Sequence, residues 1–139
     1  MTATAIDLEA TILGPHCAAL EDGDVRRLFG GSALSEQRLD RLRRWPRILV
    51  LRAGAIVGAA TCERAHSEFL VPDVGLAESP ASPDVVNVLI DAIESACLAG
   101  GCRRIVLSPP CSGRALLEGR GYQIVQASSP GSWMEKDIA

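Results

Sequence analysis

Residues 68–93 read Glu-Phe-Leu-Val-Pro-Asp-Val-Gly-Leu-Ala-Glu-Ser-Pro-Ala-Ser-Pro-Asp-Val-Val-Asn-Val-Leu-Ile-Asp-Ala-Ile. The stretch predicts a strand, a short loop and an amphipathic helix. The strand covers 66–77, with Pro72 and Gly75 marking an irregularity toward its end. Ser82 is a favoured N-cap, Pro83 suits the first helical position and Asp84 is a first-turn acid at the positive end of the dipole. Val85, Val86, Leu89, Ile93, Ala96 and Cys97 then fall on one face at helical spacing, and Gly100-Gly101 stops the helix.

Around this centre the chain predicts short elements in alternation. Residues 4–12 suit a first strand, and helices follow over 15–29 and 35–45, the second carrying Leu39, Leu42 and Trp45 and closed by Pro46. Residues 47–52 are a continuous apolar run between arginines, as in a strand buried on both faces. Ala53-Gly54 turns into a second run over 55–62. Downstream, 103–108 is a short strand, 112–119 a short helix ended by glycine, and 122–126 and 133–138 are two final strands joined by a Ser-Ser-Pro-Gly-Ser loop. The expected order is β-α-α-β-β-β-α-β-α-β-β, a mixed-sheet α/β (α+β) fold in one domain spanning 1–139.

Composition restricts the function classes. The chain has 139 residues, 47% of them hydrophobic, which suits a single packed domain. No apolar run reaches the roughly 20 residues that span a bilayer, and the amino terminus lacks a basic leader, so the expected location is cytoplasmic, without a membrane partner. A net charge of −3 and 4% aromatic residues argue against nucleic acid. The five cysteines lack metal-binding spacing, so no metal is expected and the thiols read as small core residues. Cys111, in Pro109-Pro110-Cys111-Ser112-Gly113 between a strand end and a helix start, is the thiol best placed for activation, though no histidine lies near it in sequence. Arg38, Arg41, Arg43, Arg44 and Arg47 form the one dense basic cluster, read as a solvated helix face.

The element order, with Leu117-Glu118-Gly119-Arg120-Gly121-Tyr122 in the frame of a Tyr-Glu-x-x-Gly-Phe motif and Trp133-Met-Glu-Lys-Asp-Ile138 as a last strand, resembles the Gcn5-related N-acetyltransferase (GNAT) family. The resemblance implies a GNAT-like acyl-CoA N-acyltransferase fold and transfer of an acetyl or acyl group from acyl-CoA to the amine of a small molecule or protein. The family's Arg/Gln-x-x-Gly-x-Gly/Ala loop, which holds the CoA pyrophosphate on backbone N–H groups, falls on Ala81, Ser82, Asp84 and Val86. None of these matches. Pro83 lacks a donor, Ser82 is expected to consume a helix N–H by capping, Asp84 places a carboxylate at the anion's position and Val86 adds bulk. The family's helix Tyr falls on Leu117.

The resemblance further implies a base on the strand, for which Glu68 and Asp73 are the candidates, and backbone N–H groups near Val74–Leu76 that polarise the carbonyl. Residues implied to meet the cofactor, acetyl-CoA, are Val74, Leu76, Ser82, Asp84, Val85 and Val86. On residue type alone, Glu68 and Asp73 read as solvated strand-end charges, and His16 and His66 as exposed loop histidines. Two functions stay open: a divergent N-acetyltransferase of weak CoA affinity, and an inactive binding or assembly module of the same fold. A homodimer or protein partner is compatible with either.

Overall fold

Local pattern becomes structure through one sheet. A computed structural model describes residues 8–13, 27–29, 47–52, 55–77, 82–108, 114–125 and 133–138. The expectations for the 35–45 helix, Arg38–Arg44, His16, Cys17, Ala81, Cys111 and most of the 15–29 helix lie outside these residues. The strands are β1 (Leu8–Leu13), β2 (Arg47–Arg52), β3 (Ala55–Ala65), β4 (Glu68–Leu76), β5 (Arg104–Leu107), β6 (Gln123–Ile124) and β7 (Met134–Asp137). Two helices join them, α1 (Pro83–Ala99) between β4 and β5 and α2 (Arg114–Gly119) between β5 and β6, and residues 27–29 are helical.

The sheet order is β1-β2-β3-β4-β5-β7-β6. Every pairing is antiparallel except β4 with β5, which run parallel because α1 carries the chain back across the sheet. β3 runs three residues longer than expected, and the hairpin to β4 turns at His66 (φ 59°) and Ser67. His66 is exposed, as expected.

The two faces of the sheet bury different partners. Ile48, Val50, Ala60, Cys62, Val71 and Val74 pack with Val85, Val86, Leu89, Ile90, Ile93 and Cys97 of α1. The predicted stripe is therefore the core face of the helix, widened by Ile90. On the other face Leu49 and Ala59 meet Leu28, with Phe29 alongside. Ile48, Leu49 and Val50 are all buried, as a two-sided apolar run requires. No basic residue sits in the last turn of α1; Arg64 at the hairpin tip instead donates to the Gly100 carbonyl (2.8 Å), bringing its positive charge to the negative end of the dipole.

Cys62, Cys97 and Cys102 are buried thiols outside any disulfide among the described residues, as expected of core cysteines. Burial pushes the Cys62 and Cys97 thiols from 9.0 up to about 11. The fold thus favours the protonated thiol. Its contribution to stability is complete below the unfolded-chain pKa and is lost as pH rises through 9 to 11, where the unfolded thiols ionise first. Chemical denaturation at stepped pH should show stability falling across that window. The double variant Cys62→Ala, Cys97→Ala should have a shallower slope; an unchanged slope would assign the loss to other groups.

Candidate functional site

The site follows from the register of β4. Thr61 pairs with Asp73 and Glu63 with Leu70, so Val71 and Pro72 together stand opposite Cys62 in a bulge. Pairing of β4 with β5 runs from Glu68 to Val71, where Ser108 donates its N–H to the Val71 carbonyl (3.0 Å). Beyond Val71, β4 has no β5 partner among the described residues, and its remaining residues border a space between the sheet, α1 and α2, here called the wedge. Beyond the bulge, Ala77 donates to the Val57 carbonyl of β3 (3.0 Å). Alternation along the strand then directs the N–H groups of Asp73 and Gly75 toward β3, and those of Val74 and Leu76 away from it, to the β5 side.

Hydrocarbon lines that wedge. Val74 and Leu76 from β4, Leu107 from β5, Val86, Leu89 and Ile90 from α1 and Leu117 from α2 surround a space of about 10 Å³, room for roughly one water. No titratable side chain is among them. Leu117, which the resemblance aligns with the family's helix tyrosine, is 1% exposed. Its carbonyl accepts from the N–H groups of Arg120 (3.0 Å) and Tyr122 (3.1 Å), fixing the end of α2. A polar network then ties this corner to α1. Glu94 accepts from the Tyr122 hydroxyl (3.0 Å) and from Lys136 (3.1 Å), and Arg120 reaches Asn87 (3.1 Å) and pairs with Asp91. Burial, and then the Glu94 carboxylate beside it, hold the Tyr122 phenol well above its ordinary pKa, so it stays protonated.

The start of α1, here called the rim, lies about one helical turn before the lining residue Val86. Ser82 is at the N-cap in extended conformation, and its carbonyl accepts the Val86 N–H (3.1 Å). Its side chain makes no capping hydrogen bond, contrary to the expectation that it consumes a helix donor. The hydroxyl is not aimed at the helix N–H groups. Pro83 still removes a donor, and Asp84 is exposed in the first turn. Val85 is buried at 2%, facing Gly58 rather than the wedge; a Cβ on Gly58 would lie 3.2 Å from its Cγ1.

The two candidate bases separate. Asp73 is not a solvated strand-end charge, as residue type suggested. It is 1% exposed and accepts a hydrogen bond from Thr61 Oγ1 at 2.7 Å, the residue directly across from it on β3. It lies on the sheet face of Leu28 and Phe29, one residue before Val74, so β4 presents hydrocarbon toward α1 and a carboxylate on the opposite side. Glu68 does fit the strand-end reading. Its side chain is 43% exposed and faces Arg104 at 3.8 Å, a guanidinium that also meets Asp137 (2.8 Å) and Glu135 (3.7 Å). Eight residues of strand, about 26 Å, separate Glu68 from Leu76 at the mouth of the wedge.

Of the residues expected at a cofactor, the structure thus brings Val74, Leu76 and Val86 together around one space and sets Ser82 and Asp84 at its rim. Sequence reasoning missed Leu89, Ile90 and Leu107 there, and Thr61 on the opposite face. Leu89 belongs to the visible stripe, but nothing local marks Thr61 as a carboxylate partner. Among the described residues, no cluster of three or more His, Cys, Asp or Glu is arranged to hold a metal, and no helix is long and apolar enough to cross a membrane.

No protein-family model and no curated protein matches the sequence. Solved structures do match its fold. An IAA acetyltransferase from Bacillus cereus superposes with a TM-score of 0.73 at 10% identity, covering 94% of this chain and 99% of that one. Ard1 from Thermoplasma volcanium gives 0.67 at 17% identity, covering 94% and 98%. A PaiA N-acetyltransferase from Thermoplasma acidophilum, solved in complex with coenzyme A, gives 0.62 at 10% identity, covering 94% and 99%. The chain has the fold of the Gcn5-related N-acetyltransferases, at a sequence distance that makes it a divergent example of that fold.

Proposed function

We propose, for a chain with this fold, acyl-CoA-dependent transfer of an acetyl or acyl group to an amine. The observation that carries the reading is the wedge itself: a hydrocarbon-lined space bordered by the end of β4, whose Val74 and Leu76 N–H groups face away from β3 beside it. A pantetheine arm needs apolar walls together with a few backbone donors; this lining supplies the walls, and the side of β4 that faces away from β3 supplies the donors. Acyl-CoA supplies the thioester carbonyl as electrophile. The N–H groups of Val74 and Leu76 are the donors available to polarise it. Asp73, held by Thr61, is the proton acceptor for the attacking amine, directly or through one water. Glu68 is too far along the strand for that role. Leu117 has no proton to give, so the departing thiolate takes one from solvent or from the amine.

The rim fits phosphate less well than the wedge fits an acyl arm. Asp84 opposes an anion at the end of α1 where the dipole would attract one, and Pro83 contributes no N–H. Weak affinity follows. Calorimetric titration with acetyl-CoA at millimolar concentrations, paired with detection of free CoA thiol in the presence of an amine panel, tests the reading. Absence of binding throughout would overturn it. Asp84→Gly should tighten acetyl-CoA binding about three- to fivefold while lowering the melting temperature, because the helix loses a favourable first-turn acid and gains a glycine. If affinity is unchanged in that variant, groups away from Asp84 carry the phosphates.

A second reading rests on the same rim and on Leu117: a module that keeps the fold and binds without turnover. Acetyl-CoA binding without thiol release for any amine would favour it.

A further inference from the structure

The inner end of the wedge has one contributor that differs in kind from the rest. Val74, Leu76 and Leu107 belong to the sheet, and Val86, Leu89 and Ile90 to a helix of 17 residues packed across it. Leu117 is the lining residue contributed by α2, a helix of six residues. Its backbone is pinned by the two hydrogen bonds its carbonyl accepts, and Arg120 and Tyr122, just beyond it, are anchored to α1. The side chain therefore occupies a fixed place against a space of about 10 Å³ whose lining is hydrocarbon. Close-packed interiors do not yield a further methylene without strain.

We infer that Leu117 sets the length of the acyl chain that the wedge accepts. This rests on the proposal that the wedge holds an acyl thioester, and extends it to the residue that gauges the acyl group. Added carbons of the substrate compete for the volume that the isobutyl group fills. Shortening Leu117 to alanine removes three carbons and opens room for a chain two carbons longer than acetyl. Each methylene then accommodated in an apolar site strengthens binding by about 0.8 kcal/mol, roughly fourfold.

The test is a calorimetric comparison of acetyl-, propionyl-, butyryl- and hexanoyl-CoA on the wild-type chain, Leu117→Ala and Leu117→Val, with circular dichroism to establish that each is folded. Valine is the milder truncation and keeps most of the core contact should alanine prevent folding. Wild type should bind acetyl-CoA at least tenfold more tightly than butyryl-CoA. Leu117→Ala should improve the butyryl-to-acetyl affinity ratio by roughly tenfold or more, and Leu117→Val should improve the propionyl-to-acetyl ratio by a few fold. Wild type binding all four alike, or folded variants leaving the ratios unchanged, overturns the role of Leu117 while acyl-CoA binding itself stands. Failure of every acyl-CoA to bind folded wild type overturns the proposed function, and this inference with it.

Discussion

Replacing Asp73 with asparagine should lower amine acylation by about 10²–10⁴-fold, the range that a positioned general base contributes, while acetyl-CoA affinity stays within a few fold. The amide oxygen of asparagine still accepts the Thr61 hydroxyl, so the fold should lose no more than about 1 kcal/mol. Thr61→Val should reduce turnover in the same direction by freeing the carboxylate from its partner, and Thr61→Ser should restore it. Steady-state rates by thiol release, with affinities measured alongside, provide the check. Turnover of Asp73→Asn within threefold of wild type would remove Asp73 as the proton acceptor, leaving the buried Thr61–Asp73 pair as an element of sheet structure alone.

Gly75→Ala should be the most destabilising single methyl addition on β4. A Cβ at Gly75 would lie 2.7 Å from the Leu28 carbonyl oxygen and 2.7 Å and 2.8 Å from two ring carbons of Phe29. The oxygen is backbone and cannot rotate away, so the helical residues 27–29 would have to lift from the sheet. Overpacking of this kind costs about 3 kcal/mol, or roughly 10 °C in melting temperature for a domain of this size. Gly58→Ala meets a Val85 methyl at 3.2 Å, with Leu76 and Val50 at an ordinary 3.6 Å, and should cost less, while Gly119→Ala meets nothing within 4 Å. A thermal melt in which Gly75→Ala and Gly119→Ala coincide would mean that the sheet face and residues 27–29 are further apart than described.

What the sequence disclosed and what it hid divide along sequence separation. The Ser-Pro-Asp start and the apolar stripe over 85–97 disclose α1, because helix caps and periodicity are read within a few residues. The apolar run 48–50 likewise discloses a strand covered on both faces. Ser82 shows the limit of such reading: its N-cap position is legible, whereas the direction of its hydroxyl is not. Asp73 was misread for a different reason. Its partner Thr61 lies 12 positions away, and the bulge at Val71 and Pro72 shifts the alternation that would otherwise assign its face. Pro72 and Gly75 both announce irregularity, yet only the pairing of β3, β4 and β5 shows that one marks the bulge and the other a close approach by Leu28. The Glu94 network was equally invisible, although its members include the chain's one tyrosine and one lysine.

Among the described residues β4 runs on past its pairing with β5, so its last residues have a ladder partner on the β3 side alone. Unpaired strand backbone is ordinarily a template on which other chains add, and natural edges are guarded by proline, by bulges and by inward-pointing charge. All three guards stand together here. Pro72 sits in the bulge, where its missing N–H costs no ladder bond. Asp73 follows it as a buried carboxylate. The hydrocarbon of α1 covers one face and residues 27–29 approach the other. A stretch of strand without a β5 partner among the described residues is thus guarded against pairing with a neighbouring protein.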